Sequence, residues 1–365
     1  MRKTLRFVLS LFVVAALIGC ASTKTQTYPA FSGSVTAIEK YGHAVTTIKA
    51  QDLFDAGYAL GDVLTVTYDN GYTFDAPLVA KYEVDKGQPL VRTEYADGFV
   101  ACCINYGKMN QVAGIDVGSK VTITMKEPKA YLTEYEIRSL ASTNVRGDYS
   151  TDEEFANYRM MTGGALKQGI LYRGSHPTKK GWSRAPYVSA LMEKDGIEGI
   201  IDMSDTETEL SGYLDQSNPD ASMYYRRLHD EGNVIALSMS MAFTDETFGK
   251  NIAQACRFII NHEGPFFVHC NEGKDRTGFF GMFTEALMGA TEKEITEDYM
   301  QSYVNFYHVE KGSEKYEAIA KGNCDPMLSF IKGTAPNLRE GARQYAASIG
   351  LSQEEIRSLT VKLGK

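Results

Sequence analysis

The run His269-Cys270-Asn271-Glu272-Gly273-Lys274-Asp275-Arg276-Thr277 sets a thiol six residues before a guanidinium, with a glycine between them. Five residues suffice to wrap a tetrahedral oxyanion so that successive backbone N–H groups point inward, and a following helix adds the partial positive charge of its N-terminus. Gly273 suits close backbone approach or positive φ, and the planar fork of Arg276 can hold two oxyanion oxygens at once. So Asn271, Glu272, Gly273, Lys274, Asp275 and Arg276 form the expected oxyanion cradle. The same field favours the thiolate of Cys270, and a thiolate beneath a bound phosphoryl group can attack phosphorus in line. His269 is expected to orient the loop, and Thr277 to hydrogen-bond the thiolate when it leaves. Such chemistry needs no metal and no cofactor, and the chain has no CxxC or Cys/His metal-ligand spacing. A lone cysteine is more often a small buried hydrophobe. The full string, with His, Cys, Gly, Arg and Thr at fixed offsets between a strand and a helix, asks for more than burial.

The elements needed to hold such a loop can be read around it. Phe266-Phe267-Val268 is a short apolar strand entering the loop, and Thr277 to Gly289 is a helix leaving it. Upstream, Trp182 to Lys194 predicts a helix stopped by Gly196, and Ile197 to Met203 a buried strand. Asp245 to Glu263 has Phe248, Ile252, Cys256 and Ile259 on one helical face, with Thr244 as its expected N-cap. Glu292 to Tyr307 is a further helix, and Ser352-Gln353-Glu354-Glu355 caps a last one. Helices alternating with short apolar strands over 130–335 predict an α/β domain with helices flanking a central sheet, followed by C-terminal helices over 336–365.

With these residues in view, His269 to Thr277 resembles the signature loop of the cysteine-dependent tyrosine-phosphatase superfamily. Its Gly-Lys-Asp-Arg-Thr-Gly form is most similar to secreted bacterial phosphatases that accept phosphotyrosine and phosphoinositides. Gly169 to Ser175 resembles that family's "LYR-S" segment, and Ile200 to Asp205 its "IDLR" strand, with Ser204 where an Arg is usual. The resemblance implies a phosphomonoesterase working through a cysteinyl-phosphate on phosphorylated protein, lipid or inositol substrates. It implies Cys270 as nucleophile, Arg276 as phosphate ligand and Asp275 as general acid, because the Trp-Pro-Asp loop of other members is missing. Asp230 is the second candidate acid. Lys274 is expected to add positive charge at the pocket mouth, and Arg173 to be a second phosphate contact or a structural ion-pair partner. Two rival readings remain: a phosphate-binding but inactive surface module, and a redox or sulfur-transfer thiol.

Residues 31–127 differ in texture. Val63 to Tyr68, Pro77 to Ala80 and Val121 to Met125 are β-branched runs, and Asp69-Asn70-Gly71 is a hairpin signal. A small all-β barrel or sandwich is expected ahead of the α/β domain. Leu60-Gly61-Asp62, Val117-Gly118-Ser119, Gly71 to Pro77 and Gly87 to Val91 resemble the C-terminal β-barrel of the S-adenosylmethionine hydroxide adenosyltransferases, whose catalytic aspartates lie in another domain, so no role transfers.

At 365 residues there is chain for roughly two domains. The first residues read as a leader: basic Arg2, Lys3 and Arg6, then an apolar stretch from Phe7 to Ile18, then Leu17-Ile18-Gly19-Cys20, which resembles a bacterial lipobox. Residues 1–19 are expected to be removed, Cys20 lipidated, and 20–30 to serve as a tether, giving an extracytoplasmic protein attached to the membrane by acyl chains. Losing three cations takes the formal charge from −8 to −11. That balance argues against nucleic acid and leaves capture of any anionic substrate to a local cationic site. Five cysteines remain after Cys20, so at least one is expected to be a free thiol.

Overall fold

The computed structural model describes residues 27–94, 97–215, 217–219 and 221–365. Cys20 and the apolar leader lie outside the described residues.

Seven strands build a closed barrel: β1 (Phe31–Ile38), β2 (Ala44–Lys49), β3 (Val63–Tyr68), β4 (Thr73–Val79), β5 (Pro89–Arg92), β6 (Phe99–Ile104) and β7 (Lys120–Glu127), in the order β1-β2-β6-β5-β4-β3-β7. Pairing of β1 with β7 closes it, leaving no open edge. Alternation in β3 explains its facing, since Leu64, Val66 and Tyr68 are buried while Thr65 and Thr67 point outward. The β3–β4 hairpin turns at the expected Asn70-Gly71, with Gly71 at φ +87°. The expected small all-β unit is therefore a barrel.

The second unit carries a five-stranded sheet of β8 (Arg159–Met160), β9 (Leu171–Gly174), β10 (Gly199–Asp202), β11 (Val234–Ala236) and β12 (Phe266–His269), ordered β11-β10-β12-β9-β8. All neighbours are parallel except β8, which runs against β9. Strands this short and apolar are buried on both faces, and alternate residues serve opposite cores. Ile200 and Phe267 pack with Val188, Leu191, Leu210, Tyr225 and Leu228 on one side. Ile201, Phe266 and Val268 pack on the other with Phe248, Ile252, Cys256 and Phe280.

The helices match the expected ones with small shifts. Ala185–Lys194 starts after a turn at Trp182, and Glu246–Asn261 takes Asp245, not Thr244, at its N-cap position. Arg276–Leu287 follows the loop of interest and is buried all round from Thr277 onward. Between the two units the short helix Leu132–Arg138 touches both. Tyr131 and Tyr135 pack on barrel residues Leu90 and Cys103, while Ile137 and Leu140 pack on the α/β core.

A candidate active site at the end of the central strand

Parallel strands end together, so the loop after β12 opens at the carboxyl edge of the sheet, the usual place for ligands in such folds. His269 is the last residue of β12 and Arg276 the first of the next helix, which leaves Cys270 to Asp275 to turn between them. Cys270 is 3% exposed at the floor of this turn. It is a free thiol, as are Cys102, Cys103, Cys256 and Cys324.

The carbonyls of the loop are pulled outward one after another. Asn271 O accepts from the His176 amide at 3.1 Å, and Glu272 O from Asn157 Nδ2 at 2.8 Å. Gly273 O and Lys274 O both accept from Arg173 Nη2, at 2.9 and 3.2 Å. Lys179 Nζ holds the Asn271 side chain at 2.9 Å. A trans peptide sets its N–H opposite its C=O, so the amides of residues 272–275 turn in, and none of the N–H groups of residues 271–276 has a protein acceptor among the described residues. Gly273 makes the turn at φ +70°, and a Cβ there would overlap the carbonyl of Gly174. Arg276 donates through Nη1 to Met239 O at 3.0 Å and Met203 O at 3.5 Å. That fixes its plane and leaves the other guanidinium N–H groups for a ligand.

For Arg173 the geometry matches the structural ion-pair alternative. It is fully buried, bonds the two loop carbonyls and pairs with Asp298 Oδ2 at 2.5 Å, so it braces the cradle from behind. Lys274 differs from expectation. Its ammonium sits 3.1 Å from Glu272 Oε2 and 3.9 Å from Asp275 Oδ2, donates to Tyr307 at 2.9 Å and lies over the Tyr303 and Tyr307 rings. Burial pulls its pKa down, but Asp275, the tyrosines and Glu272 push it up further. The side chain is thus a neutralised tie within the loop wall, not a free cation at the mouth.

The two candidate acids separate by topology. Asp230 ends the helix Met223–Asp230 ahead of β11, which places it at the amino edge of a parallel sheet whose carboxyl edge carries Cys270. Its side chain is 82% exposed and lies 3.6 Å from its neighbour His229. It is not a site residue, because the direction of β11 puts it at the wrong end. Asp275 lies within the loop itself. Although 46% of its side chain is exposed, crowding by the loop raises its carboxyl above the ordinary range, against the pull of Lys274. A carboxyl so raised keeps its proton at higher pH, as a proton donor requires.

Behind Cys270 lies a buried polar cluster that local sequence did not announce. His176 Nδ1 accepts the amides of Thr178 and Lys179, so its proton is on Nε2, which donates to Asp205 at 2.6 Å. Asp202, at the end of β10, accepts from the amide and hydroxyl of Ser204. Burial pushes its pKa up to about 6. His269 is buried too, and burial together with His176 holds it well below the usual imidazole range, so it is a neutral ring among His176, Tyr225 and Phe267. Neither of its ring nitrogens has a hydrogen-bond partner among the described residues to orient the loop as expected. His176, Asp202 and His269 offer ligand atoms within 4.8 Å of one another. With both nitrogens of His176 engaged, only Asp202 and His269 of this cluster keep open donor atoms among the described residues, short of a structural metal set. Thr277, the second residue of the helix Arg276–Leu287, has its Oγ1 buried with no hydrogen-bond partner among the described residues. His176 directly follows the Gly169 to Ser175 segment, and that adjacency was the available signal for it.

A sequence profile described as "Tyrosine phosphatase family" matches residues 152–364. A curated tyrosine-protein phosphatase of Nostoc commune is 27% identical over 124 residues, 30% of this chain and 42% of that protein, so the chain spans less than half of that relative's length. Similar solved structures include P. aeruginosa TpbA, at 16% identity over 49% of this chain and 92% of that one, TM-score 0.29. The core catalytic domain of the PP-IP phosphatase SIW14 from S. cerevisiae matches at 17% over 50% and 95%, TM-score 0.28. An uncharacterized conserved protein from Thermotoga maritima matches at 27% over 26% and 35%, TM-score 0.24.

Proposed function

The chain belongs to the tyrosine phosphatase family, and from that premise we propose that it hydrolyses phosphomonoesters through a cysteinyl-phosphate on Cys270. The observation that carries the reading is the loop itself, with four consecutive carbonyls tied outward and six amides free above a buried free thiol. Phosphate oxygens take those amides and the Arg276 fork. The Cys270 thiolate attacks phosphorus as the bond to the leaving oxygen breaks, and the Asp275 proton passes to that oxygen, releasing the alcohol. Water then attacks phosphorus and gives its proton to Asp275. The S–P bond breaks, Thr277 Oγ1–H stabilises the returning thiolate, and inorganic phosphate leaves. Substrates are phosphotyrosine, phosphoinositide or inositol phosphate. The protein acts outside the cytoplasm, tethered by lipid on Cys20, a reading supported by the basic head, apolar stretch and Leu17-Ile18-Gly19-Cys20 of the leader and overturned by failure of the chain to incorporate labelled fatty acid.

Phosphate release and acid-quench trapping test the catalytic reading together. Wild type is expected to turn over an aryl phosphate and yield a phosphorylated thiol, while Cys270→Ser does neither yet still binds phosphate. With an alkyl phosphate, whose leaving oxygen needs a proton, the rate should fall as pH rises through the raised Asp275 pKa. Asp275→Asn should lose that limb and about 10²-fold in rate. Equal turnover by wild type and Cys270→Ser overturns the mechanism, and binding without turnover by wild type makes the domain an inactive phosphate-binding module.

A further inference from the structure

One segment from outside the matched residues 152–364 reaches the catalytic loop. The helix Leu132–Arg138 is fixed to the barrel, where Tyr131 donates to Glu83 O at 2.9 Å and Arg138 bonds Asp85 at 3.1 Å. It is fixed to the α/β unit by Lys315, 2.8 Å from Glu136. Gly322, in the π-helical turn Ala320–Cys324, lacks the Cβ that would overlap Ile137 Cδ1, so the helix seats closely on that turn. Seated there, Ile137 and Leu140 form one wall of a cavity of about 330 Å³. Lys274 and Asp275 line the same cavity, and Met241, Phe243 and Met327 extend its apolar surface.

We propose that Ile137 and Leu140 are specificity-determining residues: they give the leaving-group side of the catalytic loop an apolar wall that selects phosphomonoesters whose alcohol carries an apolar body. The inference rests on the reading that Asp275 protonates the leaving oxygen, since this places the alcohol on the side where Asp275 lines the cavity. Burial against apolar side chains then rewards an apolar body roughly in proportion to its area. A heavily phosphorylated alcohol gains nothing comparable. Lys274 is the one cation among the lining residues, and its charge is already met by Glu272 and Asp275. The barrel thereby gains a role, because it holds in place a helix that the phosphatase domain lacks and the cleft needs.

The test uses the full chain with Ile137→Gln/Leu140→Gln, and Glu134→Gln on the exposed face of the same helix as control. Turnover of 2-naphthyl phosphate and of glycerol 2-phosphate is compared with wild type, each substrate against itself. The expected result is a loss of about tenfold in kcat/KM for the naphthyl ester, under twofold for the glycerol ester, and no change in the control. A parallel measurement in the Cys270→Ser background compares calorimetric affinities for 2-naphthyl phosphate and inorganic phosphate, and only the first should weaken. Equal losses on both ligands, or no loss on either, overturn the wall. If wild type turns over neither ester while the affinity ratio still shifts, the catalytic reading fails and the wall stands.

Discussion

Replacing Gly273 by Ala is expected to remove oxyanion binding and turnover together, with kcat/KM falling by at least about 10²-fold, whereas Cys270→Ser removes turnover alone. Two costs act at once. An L side chain at φ +70° meets the left-handed region, a penalty of about 1–2 kcal/mol. The larger cost is steric, because the added Cβ meets the backbone carbonyl of Gly174 at the end of β9, and a backbone carbonyl does not swing aside as a side-chain tip does. The loop must lift, and with it go the Arg173 bonds to Gly273 O and Lys274 O that aim the following amides. A displacement near 1 Å in a positioned site costs about two orders of magnitude in rate. Inorganic phosphate titrated by calorimetry against the Gly273→Ala, Cys270→Ser and wild-type proteins separates the cases. Retained phosphate affinity in Gly273→Ala would show that the amide ring does not bind the anion. Thermal unfolding should change little in comparison, because the turn lies at the end of the sheet and its apolar neighbours stay buried.

The contrast between these two residues tracks what local sequence can encode. A strand, a six-residue turn and a helix are contiguous, so Cys270, Gly273 and Arg276 were legible from types and offsets, and β12 and the Arg276–Leu287 helix fell where the apolar run and the loop placed them. The hairpin of the barrel was legible for the same reason, because Asn70-Gly71 and the alternation of β3 are short-range signals. What failed depended on distant partners. Lys274 looked like a free cation because Tyr307, 33 residues away, is invisible from the loop. Asp230 looked available because strand order and direction, which put it at the opposite edge from Cys270, are properties of pairing across the sheet. The buried His176–Asp205 pair joins residues 29 apart on two different loops. Asn157, which draws Glu272 O outward, sits 115 residues from it and carries no motif of its own.

Arg173 is the sharpest of these cases, and Arg173→Met is expected to destabilise the fold by about 3–5 kcal/mol while also weakening phosphate binding. The guanidinium is fully buried and donates through its two terminal nitrogens to Asp298, Gly273 O and Lys274 O. Burial raises the pKa of Asp298, but Arg159 and Arg173 together hold it below the ordinary range, so it is ionised and depends on both. Removing one leaves a buried carboxylate with half its compensation, which is far costlier than replacing the whole group by apolar atoms. Adding Asp298→Asn to Arg173→Met should therefore recover part of the stability. It should not recover phosphate affinity, because the loop carbonyls still lack their donor and the amide ring stays slack. Arg173→Lys should fall between, since one ammonium cannot reproduce a planar fork serving a carboxylate and two carbonyls. Urea unfolding read beside phosphate titration distinguishes a clamp from a ligand: a clamp couples the two losses, and only the stability loss yields to the second substitution. Loss of phosphate binding at unchanged stability would instead make Arg173 a direct contact and return the loop geometry to Arg276 alone.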